Sequence, residues 1–342
     1  MSEIYKYTGS IRKNVTFAAS KISVIMAVKI LNMNSELGAG TRGASLGTAA
    51  VKIASLNKRS DYFKKYPMKV LPDLNDELVN DTNTPYARNI EHIAKIYETT
   101  AKAVKETIDE GQFPVVLSGD HSTAGASIAG LKMAHPDKRV GVVWVDAHGD
   151  LHSPYSSPSG NVHGMPLATA LGHDNEERKI NDIDEETKKY WEQLKNVGGI
   201  SPKFNPEDLV FFGVRDTEEP EDFIIKKHNI PNYKVEEVRY RGLDTCVDEA
   251  IEKLSDCDII YVTFDVDSMD CDLISKGTGT PVSKGFDDKE VTHIMKKFIE
   301  TGKVGCFEMV EVNPTLDEKQ NKMAETAFDV LEELTPAIEN NI

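Results

Sequence analysis

Residues 140–150 read VGVVWVDAHGD, and this stretch decides the fold. Its first half is apolar and mostly β-branched, which is typical of a strand buried on both faces of a sheet. Its second half places Asp146, His148 and Asp150 at alternate positions. Because alternate residues at a strand end share one face, these side chains can point the same way. The stretch therefore predicts a buried strand that carries a polar cluster at its carboxyl end.

The same alternation of apolar runs and longer amphipathic stretches covers most of the chain. The predicted strands are 22–28, 113–117, 140–145, 209–214, 259–264 and 304–312. The predicted helices include 89–110, 185–194, 247–254 and 288–301. Short apolar runs separated by helices favour a mainly parallel sheet with both faces covered. We therefore predict one three-layer α/β/α domain over residues 1–342, in which 174–206 is a surface excursion.

Other predicted strands also end in acids and histidines. Residues 118–122 read SGDHS, 265–267 read DVD and 311–314 read EVNP. The carboxyl ends of parallel strands lie along one edge of a sheet, so these residues can converge. Clustered aspartates repel each other unless positive charge compensates them, and two divalent cations would do so. An oxygen-rich ligand set without thiolate favours Mn²⁺ over Zn²⁺. The predicted ligands are His121, Asp146, His148, Asp150, Asp265 and Asp267.

Composition narrows the function classes. Of 342 residues, 39% are hydrophobic and 28% charged, as in globular proteins with a sizeable core. The net charge of -16 argues against nucleic acid as a partner. No apolar run approaches the roughly 18 to 20 residues of a membrane span. Residues 1–13 lack a secretory pattern, and the four cysteines are scattered, so we expect reduced thiols and a cytoplasmic location.

Three motifs carry a resemblance to a known family. SGDHS at 118–122, DAHGD at 146–150 and TFDVD at 263–267 resemble the signature of the arginase (ureohydrolase) family of binuclear manganese hydrolases. The resemblance extends from the Gly-rich segment 36–47 to residues 311–316. Within the family, SGNVHG at 159–164 resembles arginases more than agmatinases, and TGTP at 278–281 is also arginase-like.

The resemblance implies an activity and an assembly. It implies hydrolysis of L-arginine to L-ornithine and urea by a hydroxide that bridges two Mn²⁺ ions, with no organic cofactor. Members of the family are commonly trimers or hexamers, so a homo-oligomer that acts on a small molecule is expected. Neither a membrane nor a nucleic acid is an expected partner.

The resemblance also implies residue roles. Asp146 and Asp265 would bridge the metals, with His121 and Asp150 completing one site and His148 and Asp267 the other. The implied catalytic residues are Asp150, which relays a proton to the leaving amine, His163, which passes protons to solvent, and Glu311, which pairs with the guanidinium. The implied substrate contacts are His152, Ser159, Asn161, Asp216, Glu218, Glu221 and Thr280.

Four features depart from the family pattern. Ser118 replaces a usual Gly, His152 a usual Asn and Glu218 a usual Asp, and the loop 267–280 is one residue longer than usual. They leave open another amidine hydrolase of the agmatinase, guanidinobutyrase or formimidoylglutamase type. A non-catalytic arginase-like binding protein is a further alternative, which the presence of all six metal ligands disfavours.

Overall fold

The computed structural model describes residues 27–342, in which the strands form one parallel sheet. The strands are β1 (Ala27–Met33), β2 (Met68–Val70), β3 (Gln112–Ser118), β4 (Val140–Val145), β5 (Leu209–Phe212), β6 (Asn232–Tyr233), β7 (Ile259–Asp265) and β8 (Val304–Val310). Their order is β2-β1-β3-β8-β7-β4-β5-β6, and every neighbouring pair is parallel. The central strands therefore present their carboxyl ends along one edge.

Helices cover both faces of this sheet. They are α1 (Gly47–Asn57), α2 (Tyr62–Lys65), α3 (Ile90–Asp109), α4 (Ala124–Ala134), α5 (Pro166–Leu171), α6 (Glu185–Lys195), α7 (Glu219–Lys227), α8 (Val235–Arg241), α9 (Leu243–Lys253), α10 (Asp288–Ile299) and α11 (Lys322–Asn341). Helices α1, α2 and α8–α11 pack on one face, and α3–α7 pack on the other. The predicted three-layer α/β/α class is confirmed.

Successive side chains of β4 point to opposite faces of the sheet and so pack in two different cores. Val143 and Val145 lie in the core beneath α10 and α11, whereas Val142 and Trp144 lie in the core beneath α3 and α4. All six residues of β4 are buried, as a strand covered on both faces requires. This double burial explains why the sequence of such a strand is continuously apolar instead of alternating.

Several predicted boundaries differ from the structure. The strand predicted at 22–28 has residues 22–26 outside the described part of the chain, and β1 runs on to Met33. Two strands end two residues early, because Gly213 and Glu311 have φ values of 90° and 67° that leave the extended conformation. Helix α9 begins at Leu243, four residues before the predicted start of 247.

Two further features were missed or misplaced. The edge strands β2 and β6 have three and two residues, too few for a periodic pattern. Residues 174–206 are not only a surface excursion, because α6 lies within them and buries Trp191 and Leu194 in the core it shares with α3. Within residues 27–342, none of the helices has the length and apolar character needed to cross a membrane.

Candidate metal centre

The turn that follows β3 positions His121. The Asp120 carboxylate accepts hydrogen bonds from the backbone N–H groups of Ser122 (2.8 Å) and Gly38 (2.7 Å), which fixes the turn. The His121 ring stacks on Trp144 with centroids 4.3 Å apart. Its Nε2 lies 3.0 Å from Thr263 Oγ1. Trp144 therefore holds the face of the ring and Thr263 holds Nε2. The other ring nitrogen, Nδ1, faces the site.

Three carboxylates surround that nitrogen. His121 Nδ1 lies 3.0 Å from Asp146 Oδ2, 3.1 Å from Asp150 Oδ2 and 3.2 Å from Asp265 Oδ2. The nitrogen is buried, and no described residue makes a well-aligned hydrogen bond with it. A ring nitrogen clustered with three carboxylate oxygens is the arrangement of a cation site. We call His121, Asp146, Asp150 and Asp265 the first ligand group.

A second group adjoins the first and shares Asp146 with it. His148 Nδ1 lies 3.0 Å from Asp267 Oδ2 and 3.5 Å from Asp146 Oδ1. Asp267 also accepts hydrogen bonds from the Ala147 N–H (3.2 Å) and from Thr280 Oγ1 (3.0 Å). We call Asp146, His148 and Asp267 the second ligand group. Asp265 falls with the first group here, and its bridging role stays a prediction.

Burial and mutual repulsion shift the pKa values of the acids in the two groups. Burial and the nearby charges of Asp267 and Asp146 raise the pKa of Asp265 well above its usual value. Burial and the charge of Asp146 likewise raise the pKa of Asp150 to about 7. Burial alone would lower the pKa of His121, but the surrounding carboxylates raise it well above 6.5. Divalent cations would compensate this accumulation of carboxylates.

The donor set fits divalent cations. The two groups supply carboxylate oxygens and imidazole nitrogens, and no cysteine belongs to either of them. Such a set suits cations that prefer oxygen and nitrogen ligands, Mn²⁺ among them. The residues present therefore fit a pair of divalent cations.

Two acids of the site have left-handed backbone conformations that residues other than glycine rarely adopt. Asp150 has a φ of 51° and Glu311 a φ of 67°. Contacts on both sides hold them in place: the Asp150 carbonyl accepts from the Leu167 N–H (3.2 Å), and the Glu311 N–H donates to the Gly119 carbonyl (2.9 Å). Strain of this kind is concentrated at functional sites, where it aims side chains that regular structure could not.

The two groups form the floor of a cavity of about 210 Å³. Asp146 is the one predicted ligand that does not line it, because that side chain is buried beneath the floor. Every predicted catalytic and substrate-contacting residue lines the cavity, namely Asp150, His152, Ser159, Asn161, His163, Asp216, Glu218, Glu221, Thr280 and Glu311. Residues far apart in sequence thus share one crevice, although the roles predicted for them remain predictions.

A histidine–carboxylate pair lies beside the metal groups. Glu311 Oε1 accepts a hydrogen bond from the His121 N–H (3.0 Å) and lies 3.2 Å from His163 Nδ1. Burial alone would lower the pKa of His163, but Glu311 raises it to about 9. A protonated His163 is therefore favoured at neutral pH.

The opposite side of the cavity is acidic. His152 Nε2 lies 2.8 Å from Glu218 Oε2 and 3.6 Å from Glu221 Oε2. Glu221 is buried, which raises its pKa, and it accepts hydrogen bonds from the N–H groups of Leu151 (3.2 Å) and Glu218 (3.1 Å). Glu221 thus ties the start of α7 to the loop after β4, while Glu218 is half-exposed toward the cavity.

The sequence did not reveal several supporting residues. Trp144 donates a hydrogen bond from Nε1 to Asp146 Oδ2 (2.9 Å), and Thr263 contacts His121 as described above. Glu308 is fully buried and accepts hydrogen bonds from Ser118 Oγ and Tyr261 Oη, both at 2.6 Å. Two features of the sequence could have indicated these residues. Thr263 stands two residues before Asp265 and therefore shares its face of the strand. Glu308 is an acid inside an apolar strand, and such an acid is rarely buried without partners.

Fold and site together define an α/β protein with two adjoining ligand groups for divalent cations at the carboxyl edge of a parallel sheet. Comparison with known proteins identifies its kind. The sequence model described as "Arginase family" matches residues 26–336. The chain belongs to the arginase family.

Individual arginases align with about nine-tenths of this chain and with nearly all of their own length. The arginase of Bacillus subtilis (strain 168) is 35% identical over 308 residues, which are 90% of this chain and 97% of that protein. The solved arginase of Bacillus caldovelox has a TM-score of 0.77 and 33% identity, and the match covers 90% of this chain and 98% of that one. The Entamoeba histolytica arginase, solved in complex with L-ornithine, has a TM-score of 0.76 and 26% identity over the same shares.

Proposed function

We propose that the protein is an arginase, which hydrolyses L-arginine to L-ornithine and urea with two Mn²⁺ ions per chain. The observation that carries the proposal is the single cavity onto which the two ligand groups, Glu311 and the acidic recognition residues converge. The relatives named above as arginases support the same reaction, and the ornithine complex of the Entamoeba histolytica enzyme holds the product we expect.

The guanidinium group is proposed to bind at Glu311. That carboxylate is 2% exposed, and its hydrogen bonds within the described residues go to Oε1. Its Oε2 is thus available for a charge-assisted hydrogen bond to a substrate N–H. The left-handed backbone of Glu311 turns the chain beside the first ligand group, so a guanidinium held here would lie next to the metals.

The chain's own groups are suited to proton movement around the attacked carbon. When bound, the Mn²⁺ pair would supply the Lewis acidity that lowers the pKa of water toward neutrality. Asp150 faces both the cavity and the first ligand group, so its free oxygen can receive a proton and deliver it to the leaving amine. His163, which lines the cavity and is partly exposed, would exchange protons with solvent.

The far end of the cavity is proposed to bind the amino-acid end of arginine. Ser159 and Asn161 supply a hydroxyl and an amide for the α-carboxylate, and both line the cavity. Asp216 and Glu218 lie on its acidic side and suit the α-ammonium group. The contact between His152 and Glu218 occupies one oxygen of this acidic subsite. That contact is also the feature that keeps a substrate without an α-amino group, such as guanidinobutyrate, as the alternative.

Urea release by the Mn-loaded protein tests the proposal. L-arginine, agmatine, guanidinobutyrate and formiminoglutamate are compared as substrates. Hydrolysis of formiminoglutamate would release formamide instead of urea, so its products are measured separately. We expect turnover of L-arginine above the others and close to two Mn per chain by elemental analysis. Asp267→Ala should lose activity and metal, whereas Asp182→Ala, at an aspartate whose side chain is 98% exposed, should keep both. Inert arginine with turnover of another amidine would refute the assignment.

Three broader features belong to the same proposal. We propose that residues 1–342 form one catalytic domain, that the protein acts in the cytoplasm, and that it assembles as a homo-oligomer of the trimeric or hexameric kind. Light scattering coupled to size-exclusion chromatography gives the mass of the assembly. A monomeric mass at working concentration would contradict the last of these.

A further inference from the structure

The guanidinium of Arg215 lies in an unusual environment just after β5. All five of its N–H donors meet backbone carbonyl oxygens: those of Ser283 (3.0 Å from Nε), Gly213 and Ser268 (3.0 and 3.4 Å from Nη1), and Asp267 and Val282 (3.0 and 2.8 Å from Nη2). Within residues 27–342 it forms no ion pair with a carboxylate. Arg215 therefore acts on the course of the backbone and not on a charge partner.

Four of these five carbonyls belong to one loop, residues 267–283, which joins β7 to α10. The loop carries Asp267 of the second ligand group at its start and Thr280 near its end. Thr280 Oγ1 donates to Asp267 Oδ2 at 3.0 Å, so the loop closes back on its own ligand. By holding both ends of the loop, Arg215 fixes the path that brings Thr280 to Asp267.

The backbone of Arg215 contacts the other half of the second ligand group. The N–H groups of Arg215 and Asp216 donate to the Ala147 carbonyl at 2.8 and 3.0 Å. Ala147 lies between the ligands Asp146 and His148, and its own N–H donates to Asp267 Oδ1 (3.2 Å). The main chain of Arg215 thus holds one side of the second ligand group, and its side chain holds the other.

The first ligand group has supports of its own, although it shares Asp146 with the second group and Asp265 Oδ1 accepts a hydrogen bond from the Asp267 N–H (2.8 Å). Asp265 is the last residue of β7 and pairs in register with Val310 of β8. His121 is held by the turn after β3, by Trp144 and by Thr263. A change at Arg215 therefore acts on Asp267 and leaves the ladder that holds Asp265 intact.

We propose that Arg215 is a positioning residue that sustains the second ligand group selectively, by clamping loop 267–283 against the β4 end. The inference rests on the proposed Mn-dependent function. If Arg215 has this role, loss of its guanidinium, a planar fork of five N–H donors, weakens Mn²⁺ binding at the second ligand group more than at the first. Lysine cannot replace that fork, because its ammonium has three donors on one atom instead of five in a plane.

The test compares Arg215→Lys and Arg215→Ala with wild type by calorimetric Mn²⁺ titration of the metal-free protein and by low-temperature electron paramagnetic resonance. We expect the affinity for one Mn²⁺ to fall at least tenfold while the other stays within twofold of wild type. In the resonance spectrum, signals of an isolated Mn²⁺ ion should replace those of a coupled pair at one equivalent or more. For L-arginine, kcat should fall more than KM rises, because Asp267 holds metal and not substrate.

Arg239→Lys is the matched control. Arg239 also donates to a carbonyl of this region, that of Gly285 (3.1 Å), but it pairs with Glu290 away from the site. The Arg239→Lys variant should bind two Mn²⁺ ions with the affinities of the wild type. Equal weakening of both metal positions in the Arg215 variants, or no weakening, would overturn the proposal. If Arg215→Ala does not fold, Arg215→Lys decides the matter.

The result separates the two proposals. A wild-type protein that binds two Mn²⁺ ions yet leaves L-arginine intact refutes the proposed substrate, while the selective effect of Arg215 can still be measured. A wild-type protein that hydrolyses L-arginine, with Arg215 variants that retain the coupled pair, refutes only the role of Arg215.

Discussion

Thr263→Val tests how the structure prepares His121 for a metal ion. Valine keeps the shape of threonine but removes the hydroxyl that lies 3.0 Å from His121 Nε2. A metal ion at Nδ1 requires the ring proton to be on Nε2, and that proton then needs an acceptor. The metal-free protein can give up the Nε2 proton and keep the Nδ1 proton, which the carboxylates accept. The loss of the hydroxyl therefore penalises the metal-loaded protein more than the metal-free protein.

The magnitude follows from the burial of the ring. A buried N–H group without an acceptor costs about 1–3 kcal/mol, which is roughly a 5- to 150-fold loss of affinity. His121 is 1% exposed and stacks on Trp144, so water cannot replace the hydroxyl. We therefore expect Mn²⁺ to bind the first ligand group about 10- to 100-fold more weakly, the usual effect of removing such a supporting contact.

Calorimetric titration of the metal-free protein with Mn²⁺ measures this effect, and Thr107→Val is its control. Thr107 is also 1% exposed, and its hydroxyl donates to the Ala103 carbonyl (2.8 Å) within α3, away from the site. Its replacement should leave Mn²⁺ affinity unchanged. Wild-type affinity in Thr263→Val, or an equal loss in Thr107→Val, would refute the argument from the ring proton.

Two more predictions concern the cavity and the core. His152→Asn and Glu218→Asp should each lower KM for L-arginine with kcat unchanged, because loss of the 2.8 Å contact frees a carboxylate for the α-ammonium group. The change should be only about two- to fivefold because the Glu218 side chain is half-exposed. The double variant should be no better than either single one, and additive effects would contradict the pairing. Burial lowers the pKa of Lys203 from 10.5 to about 8, so the unfolded chain binds more protons between these values and the free energy of unfolding rises with pH there. Urea denaturation at pH 7.5 and 9.5 measures this effect. Lys203→Met should have a higher free energy of unfolding than wild type at pH 7.5, and that free energy should change less with pH than in wild type. The same change with pH in both proteins would contradict the prediction.

Much of the fold could be predicted because a parallel sheet covered on both faces leaves a strong imprint in sequence. The central strands are mostly apolar, and β4, a continuous apolar run, was predicted with both of its boundaries correct. The ligand groups follow from the same logic, since Asp146, His148 and Asp267 stand directly after such runs. The sheet edge then brings them together without further information.

The remaining features depend on tertiary contacts that leave no periodic signal. The edge strands β2 and β6 exist because β1 and β5 offer them partners, and their own residues give little indication of it. Thr263 and Glu308 become supports only once β7 and β8 are known to be neighbours. The clamp by Arg215 depends on the course of an irregular loop, which apolar patterning does not describe.

The two ligand groups also differ in how they are built, and this difference has a functional consequence. In the first, Asp265 stands at a strand end and His121 in a short turn. The second depends on loop 267–283 and on its clamp by Arg215. Asp216, next to Arg215, lies on the acidic side of the cavity, and its N–H shares the Ala147 carbonyl with that residue. Substrate bound at the acidic side, as proposed, would therefore act on the same short stretch of backbone that supports the second ligand group, whereas His121 and Asp265 of the first group are held mainly by other contacts.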